Sequence, residues 1–199
     1  MLQNLDRLFM QLPENLDERM GARRVGRDWA FCAFGRPCRI HPHGIDLGGG
    51  PVSGPVGVIL SLYALFAKEA PLVLEPPAAF RQMPDSAPYV GAFRSHTETV
   101  LAPFTPEIEK ALPLLNDHLC GLDPPGSLGA SADITFVVRP LPKIALCYQC
   151  YLPDEDFPSS VTCLYSKNAH LFLPTDALAD VGEYTSRRIL ELIGVIGEQ

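Results

Sequence analysis

The chain of 199 residues carries 16 Lys plus Arg against 23 Asp plus Glu, a formal net charge of −7, which excludes a basic nucleic-acid-binding surface as its organising feature. Hydrophobic residues make up 47% and charged residues 20%, the balance of a packed domain and not of a disordered chain. Six cysteines are too few for a disulfide framework, and Asp6 and Arg7 stand where a signal peptide would be apolar, so the expected location is a reducing cytoplasm.

The prolines, 20 in all, are dispersed and punctuate many short elements. Leu5, Leu8, Phe9 and Leu12, then Leu16 and Met20, recur at helical spacing around Pro13 and predict two short amphipathic helices. Residues 29–34 and 38–41 flank Gly35-Arg36-Pro37 and predict a hairpin turning on those three residues. Between Asp46 and Gly57, a run rich in Gly48, Gly49, Gly50 and Gly54 predicts a mobile connection into a helix capped by Ser53 or Gly54, with Pro55 in its first turn. That helix holds the longest apolar run, residues 56–67, which is too short to cross a bilayer and reads as buried.

Beyond Pro71, residues 72–74 are extended, and Pro76, Pro77, Pro84 and Pro88 leave no regular element after them. A helix from about Tyr89 to Leu101 places Tyr89, Phe93, His96 and Val100 on one face. The next, from about Thr105 to Leu119, buries Ile108, Leu112, Leu115 and Leu119 and is expected to kink or break at Pro113. Residues 133–138, 143–151 and 161–165 then predict an antiparallel meander. Pro174-Thr175-Asp176 opens a last helix with Leu178, Val181, Tyr184, Ile189, Leu192 and Ile196 on its apolar face. Strands in blocks with helices before and after predict an α+β fold: an antiparallel sheet, made of an N-terminal hairpin and a C-terminal meander, packed against several helices in a single domain over residues 1–199.

Side chains capable of chemistry are sparse. His41 and His43 share a strand face if the strand continues, and with Cys32 or Cys38 and a carboxylate such as Asp46 they form a candidate zinc or iron site, although Cys38 needs a bulge to join them. Ser53 and Gly54, at a helix start after a glycine-rich loop, are candidate cofactor-binding residues because exposed N–H groups there can hold an anion. Cys147 and Cys150 form a C-x-x-C, but residues three apart in a strand point to opposite faces, so both read as small core residues. His96 reads as a hydrogen-bonded core histidine, Arg94 and Glu98 as a surface i,i+4 pair, and Asp154-Glu155-Asp156 as a solvated turn. No hydrolase or protease signature is present.

Leu62-Tyr63-Ala64-Leu65, Ala79-Phe80-Arg81-Gln82-Met83-Pro84 and Tyr89-Val90-Gly91-Ala92-Phe93 form a first block of recognisable segments. Asp133-Ile134-Thr135-Phe136, Leu141-Pro142-Lys143-Ile144, Asp154-Glu155-Asp156-Phe157-Pro158 and Ala169-His170-Leu171-Phe172-Leu173-Pro174-Thr175-Asp176 form a second. In this order the chain resembles the prokaryotic family known as domain of unknown function 3786. The resemblance implies one domain of about this size, often met in anaerobic bacteria and archaea, and supplies no reaction and no catalytic residue. Some relatives carry an added iron–sulfur segment, which this chain has no C-x-x-C-x-x-C run to match. The acidic turn at residues 154–157 is either a fold-defining turn with Phe157 anchored in the core or part of a binding face.

These observations point to a domain that binds a small molecule, a cofactor or a protein partner, with no nucleic acid and no membrane. The alternatives are a metal-dependent enzyme using His41 and His43 with a nearby Cys or Asp, and a protein-interaction module with an exposed apolar patch.

Overall fold

Two antiparallel sheets organise the computed structural model, which describes residues 1–128 and 132–197. The predicted N-terminal helices are α1 (Leu2–Met10), which buries Leu5 and Leu8, and α2 (Leu16–Met20), which stops where Gly21 takes a left-handed φ of 64°. The predicted hairpin is the centre of a larger meander, β1 (Arg23–Val25), β2 (Asp28–Ala33), β3 (Arg36–His41), β4 (Gly44–Leu47) and β5 (Gly50–Pro51). Its turn is Phe34-Gly35 alone, at φ 52° and 75°, so β3 already begins at Arg36 and Pro37 lies within the strand. Positive φ at both turn residues matches the twist of the flanking strands, which a two-residue turn with negative φ would splay.

The glycine-rich stretch is likewise ordered. Gly48 and Gly49, at φ 66° and 92°, turn β4 into β5, and Gly48 and Val52 donate backbone hydrogen bonds to Pro37 and Ile45. The helix that follows, α3 (Gly54–Phe66), buries Val56, Ile59, Leu60, Tyr63 and Ala64 but leaves Val58 and Phe66 exposed, so it is buried on one side only.

The second sheet has the order β6-β9-β8-β7, from β6 (Ala78–Ala79), β7 (Ile134–Leu141), β8 (Ile144–Tyr151) and β9 (Ser160–Tyr165). Its last three strands are the predicted meander. β6 corrects the reading of the proline-rich stretch: Ala78 and Ala79 pair with Tyr165 and Leu164, and a 3-10 turn, Phe80–Gln82, follows. The preceding coil is held from outside, where Asn168 Nδ2 donates to Pro71 O at 2.8 Å and Oδ1 accepts from Val73 N–H at 3.0 Å. Leu72 and Leu74 thereby cover Val137, Ala145 and Cys147 on the outer face of this sheet.

The inner face joins the main core. One buried cluster combines Leu5 and Leu8 with Trp29, Ile40 and Ile45 of the first sheet, Leu60 and Tyr63 of α3, and Phe136, Tyr148 and Tyr165 of the second sheet. The long C-terminal helix α6 (Thr175–Leu192) adds Leu178, Val181 and Ile189 to it, while Ile196 lies beyond the helix and is exposed. α5 (Thr105–His118) runs through Pro113 as one element. Pro113 is exposed, so the carbonyl that loses its helical donor can face water, which explains why the expected break is absent. No helix among the described residues is long and apolar enough to cross a membrane.

Candidate functional site

The predicted helix over residues 89–101 forms, but not as a plain α-helix. α4 (Val90–Phe93) passes directly into a π-helical segment, Arg94–Thr99. The wider turn rotates everything after it, so Thr97 takes the buried place and His96, read from sequence as a core residue, is exposed. Glu98 also turns inward. Its Oε1 accepts the Cys163 N–H of β9 at 2.9 Å, and burial raises its carboxyl above the ordinary range, against the opposing pull of that hydrogen bond and of Arg94.

Gly182 of α6 sets the distance between the two helices. A Cβ there would stand 2.6 Å from Phe93 Cε2, 2.8 Å from Thr97 Oγ1 and 3.0 Å from Tyr165 Oη. This close approach brings the next residue, Glu183, against the π-helical segment, where its Oε2 lies 2.9 Å from His96 Nδ1. A carboxylate on Nδ1 fixes the ring and leaves Nε2 as the atom that can exchange a proton with a ligand.

The pair sits in a groove along the outward side of α6. A cavity of about 410 Å³ is lined by Ser95, His96, Val100, Glu183, Arg187 and Leu190. It continues past His96 and Glu183 into a cleft with Tyr89, Phe93, Asp176 and Asp180. Tyr89 and Asp176 in turn border a hollow of about 430 Å³ that includes Pro84, Asp85, His170 and Pro174. On the other flank of α6, Asp180, Glu183 and Arg187 face Pro55, Val56 and Ile59 of α3. Among the described residues, Asp85, Asp176, Asp180 and Glu183 thus outnumber Arg187 in the formally charged lining of this groove. Crowding shows at Asp180, whose carboxyl is raised by burial first and then by the Glu183 and Asp176 carboxylates.

The residues singled out from sequence lie elsewhere and apart. The two-residue turn sets Cys32 opposite Pro37 and Cys38 opposite Phe31, so the two thiols fall on opposite faces of the hairpin. Cys38 is a core residue, its thiol pushed up to about 12 by burial and further by Asp46 and Cys32. β3 ends at His41, and His43 stands in the turn that follows, its N–H donating to His41 Nδ1 at 3.3 Å. His41 Nε2 lies 3.7 Å from Asp46 Oδ2 in a hollow shared with Arg27, Asp28 and Arg39, where Asp28 is paired with Arg39 at 3.7 Å. Among the described residues no three His, Cys, Asp or Glu side chains gather as metal ligands. Ser53 precedes α3 with no side-chain capping bond, and Gly54 is exposed at φ 67° with nothing within 4 Å of where a Cβ would stand. Cys147 and Cys150 do point to opposite faces, Cys147 into the outer cluster and Cys150 into the main core, and burial pushes both thiols up to about 12.

The acidic turn is closed by Asp154, whose Oδ1 accepts the Asp156 and Phe157 N–H groups at 2.9 and 2.7 Å. Phe157 is 70% exposed and does not anchor in the core. Sequence reasoning missed Asp180, Glu183 and Arg187. Their signal was present, since Asp176, Asp180, Glu183 and Arg187 recur at i, i+4, i+7 and i+11 on one face of α6, but such a stripe is by default a solvated helix face.

Comparison with curated proteins and with solved structures finds no match. The family model described as Domain of unknown function (DUF3786) matches residues 13–188, and the segments that carry the resemblance include Pro84, Tyr89 and the His170-to-Asp176 stretch that border the groove. The chain belongs to that family.

Proposed function

We propose that this chain is a small-molecule-binding protein whose site is the α6 groove and whose ligand carries at least one ammonium group. The observation that carries the reading is the His96–Glu183 pair at 2.9 Å, exposed along a concave surface whose other charges are mainly carboxylates. Val100 and Leu190 offer apolar surface for a carbon skeleton, and Asp176 and Asp180 offer acceptors for the ammonium. His96, oriented by Glu183, presents Nε2 as a further acceptor for the ammonium N–H groups.

The test is calorimetric titration of the purified chain with putrescine, using succinate as the size-matched anion. Putrescine is expected to bind and succinate not to. Asp180→Asn should weaken putrescine binding roughly tenfold, the usual effect of removing one charge-assisted hydrogen bond, and His96→Ala should weaken it by a similar factor. The pH dependence has a defined sign. Because the Asp180 carboxyl is raised, it loses its charge on acidification earlier than an ordinary aspartate, so affinity falls as pH drops through that range and Asp180→Asn flattens the fall. Equal binding of putrescine and succinate, or variants indistinguishable from the parent, would contradict the reading.

A further inference from the structure

Four of the six cysteines, Cys38, Cys147, Cys150 and Cys163, are buried, whereas Cys32 and Cys120 are half-exposed and touch each other. Their Sγ atoms lie 3.2 Å apart although 88 residues separate them in sequence. Both ends of this contact lie in backbone held by its neighbours. Cys32 sits in β2 opposite Pro37. Cys120, at φ 53°, ends the α5 segment between two anchors: Leu119 O accepts the Arg139 N–H at 3.0 Å, and Gly121 N–H donates to Asn116 O at 2.8 Å. The same corner is closed by the hairpin tip, where Gly35 packs on the His118 carbonyl and Phe34 N–H donates to Pro140 O at 2.7 Å. Joining the sulfurs requires that they close from 3.2 Å to about 2.05 Å.

We propose that Cys32 and Cys120 are a dithiol modification site that a low-molecular-weight disulfide converts to an intramolecular disulfide, tying the first sheet to the end of α5. One thiolate attacks the reagent disulfide, R–S–S–R, forming a protein–S–S–R bond and releasing R–S⁻. The second thiolate then attacks the protein sulfur of that mixed disulfide, forming Cys32–S–S–Cys120 and releasing a second R–S⁻. The two cysteines lose two electrons, the reagent gains them, and the two protons given up by the thiols end on the two R–SH products. Burial first and then the neighbouring Cys120 raise the Cys32 thiol to about 11, against the opposing pull of the Gly35 backbone N–H and of Arg139, so exchange is slow at neutral pH and accelerates with alkalinity. The proposal is independent of the groove reading.

The experiment uses the full chain, reduced and desalted, incubated with oxidised glutathione at about pH 8.5, where thiolate is more abundant. Samples are denatured with N-ethylmaleimide and weighed intact, and a parallel sample oxidised in denaturant shows that the reagent is active. Of the six cysteines, the bonded pair is protected, so four maleimides and the loss of two hydrogens are expected, and fragmentation of the cross-linked tryptic peptides should place the bond on Cys32 and Cys120 with the maleimide on Cys38, which shares the Cys32 peptide because Pro37 follows Arg36. The oxidised chain should melt roughly 5–10 °C higher, a loop of this length restricting the unfolded chain, and dithiothreitol should reverse the shift. Cys120→Ser should abolish both the bond and the shift, whereas Cys38→Ser keeps the bond. Six alkylated thiols after prolonged incubation, glutathione adducts that never resolve, or a linkage through Cys38, Cys147, Cys150 or Cys163 would each overturn the proposal.

Discussion

Gly35→Ala is expected to destabilise the protein by about 4 kcal/mol and to lower its thermal midpoint by roughly 10 °C or more. Two effects add. Gly35 holds φ 75°, where a side chain is strained, and a Cβ on it would stand 1.9 Å from the His118 carbonyl oxygen, a backbone atom at the end of α5. The obstacle cannot rotate away, and the hairpin tip is tied on its other side by Phe34 N–H to Pro140 O. Gly26→Ala is the internal control, since Gly26 has φ 65° but nothing within 4 Å of its virtual Cβ. It should cost only the conformational part, about 1 kcal/mol. Thermal melts of both variants measure the difference, and equal losses would show that α5 and the hairpin do not meet as described.

Gly182→Ala carries the second large effect because its sign is opposite to the usual one. Within a helix, glycine to alanine normally stabilises by about 1 kcal/mol. Here the new methyl meets Phe93, Thr97 and Tyr165, of which Phe93 and Tyr165 cannot yield easily. The Phe93 ring is stacked on Phe80 at 4.4 Å, and Tyr165 Oη is committed to the Leu178 carbonyl. The expected cost is about 1–3 kcal/mol, as for overpacked cores. Since Gly182 also sets the approach of Glu183 to His96, the variant should bind putrescine more weakly than the parent. Melting and titration of the same preparation check both outcomes, and a stabilised variant with unchanged binding would refute the close approach.

What the sequence made legible was local. Periodicity located both N-terminal helices, the C-terminal meander and α6, because in each the apolar spacing agrees with the element it forms. The hairpin was visible in outline, but its register was not. Placing the turn at Phe34-Gly35 sets Cys32 opposite Pro37, where a turn over Gly35-Arg36-Pro37 would set it opposite Ile40, and the contact between Cys32 and Cys120 needs the end of α5, far along the chain. The π-helical segment was illegible for a related reason. Widening the helical turn leaves the composition of residues 94–99 unchanged yet exchanges His96 for Thr97 on the buried face. The groove needed both this rotation and a long-range contact, since His96 and Glu183 are 87 residues apart in the chain. Cys147 and Cys150 were readable because strand alternation alone separates them.

The most direct test of the groove is to record backbone amide NMR spectra of uniformly labelled protein while titrating putrescine, then succinate. Putrescine should shift amides concentrated in residues 89–100 and 176–190, with His96 and Glu183 among the largest, and succinate should leave that set unmoved. Putrescine shifts spread evenly over the acidic surface, or centred on the turn of Asp154, would contradict the assignment of the α6 groove as the binding site.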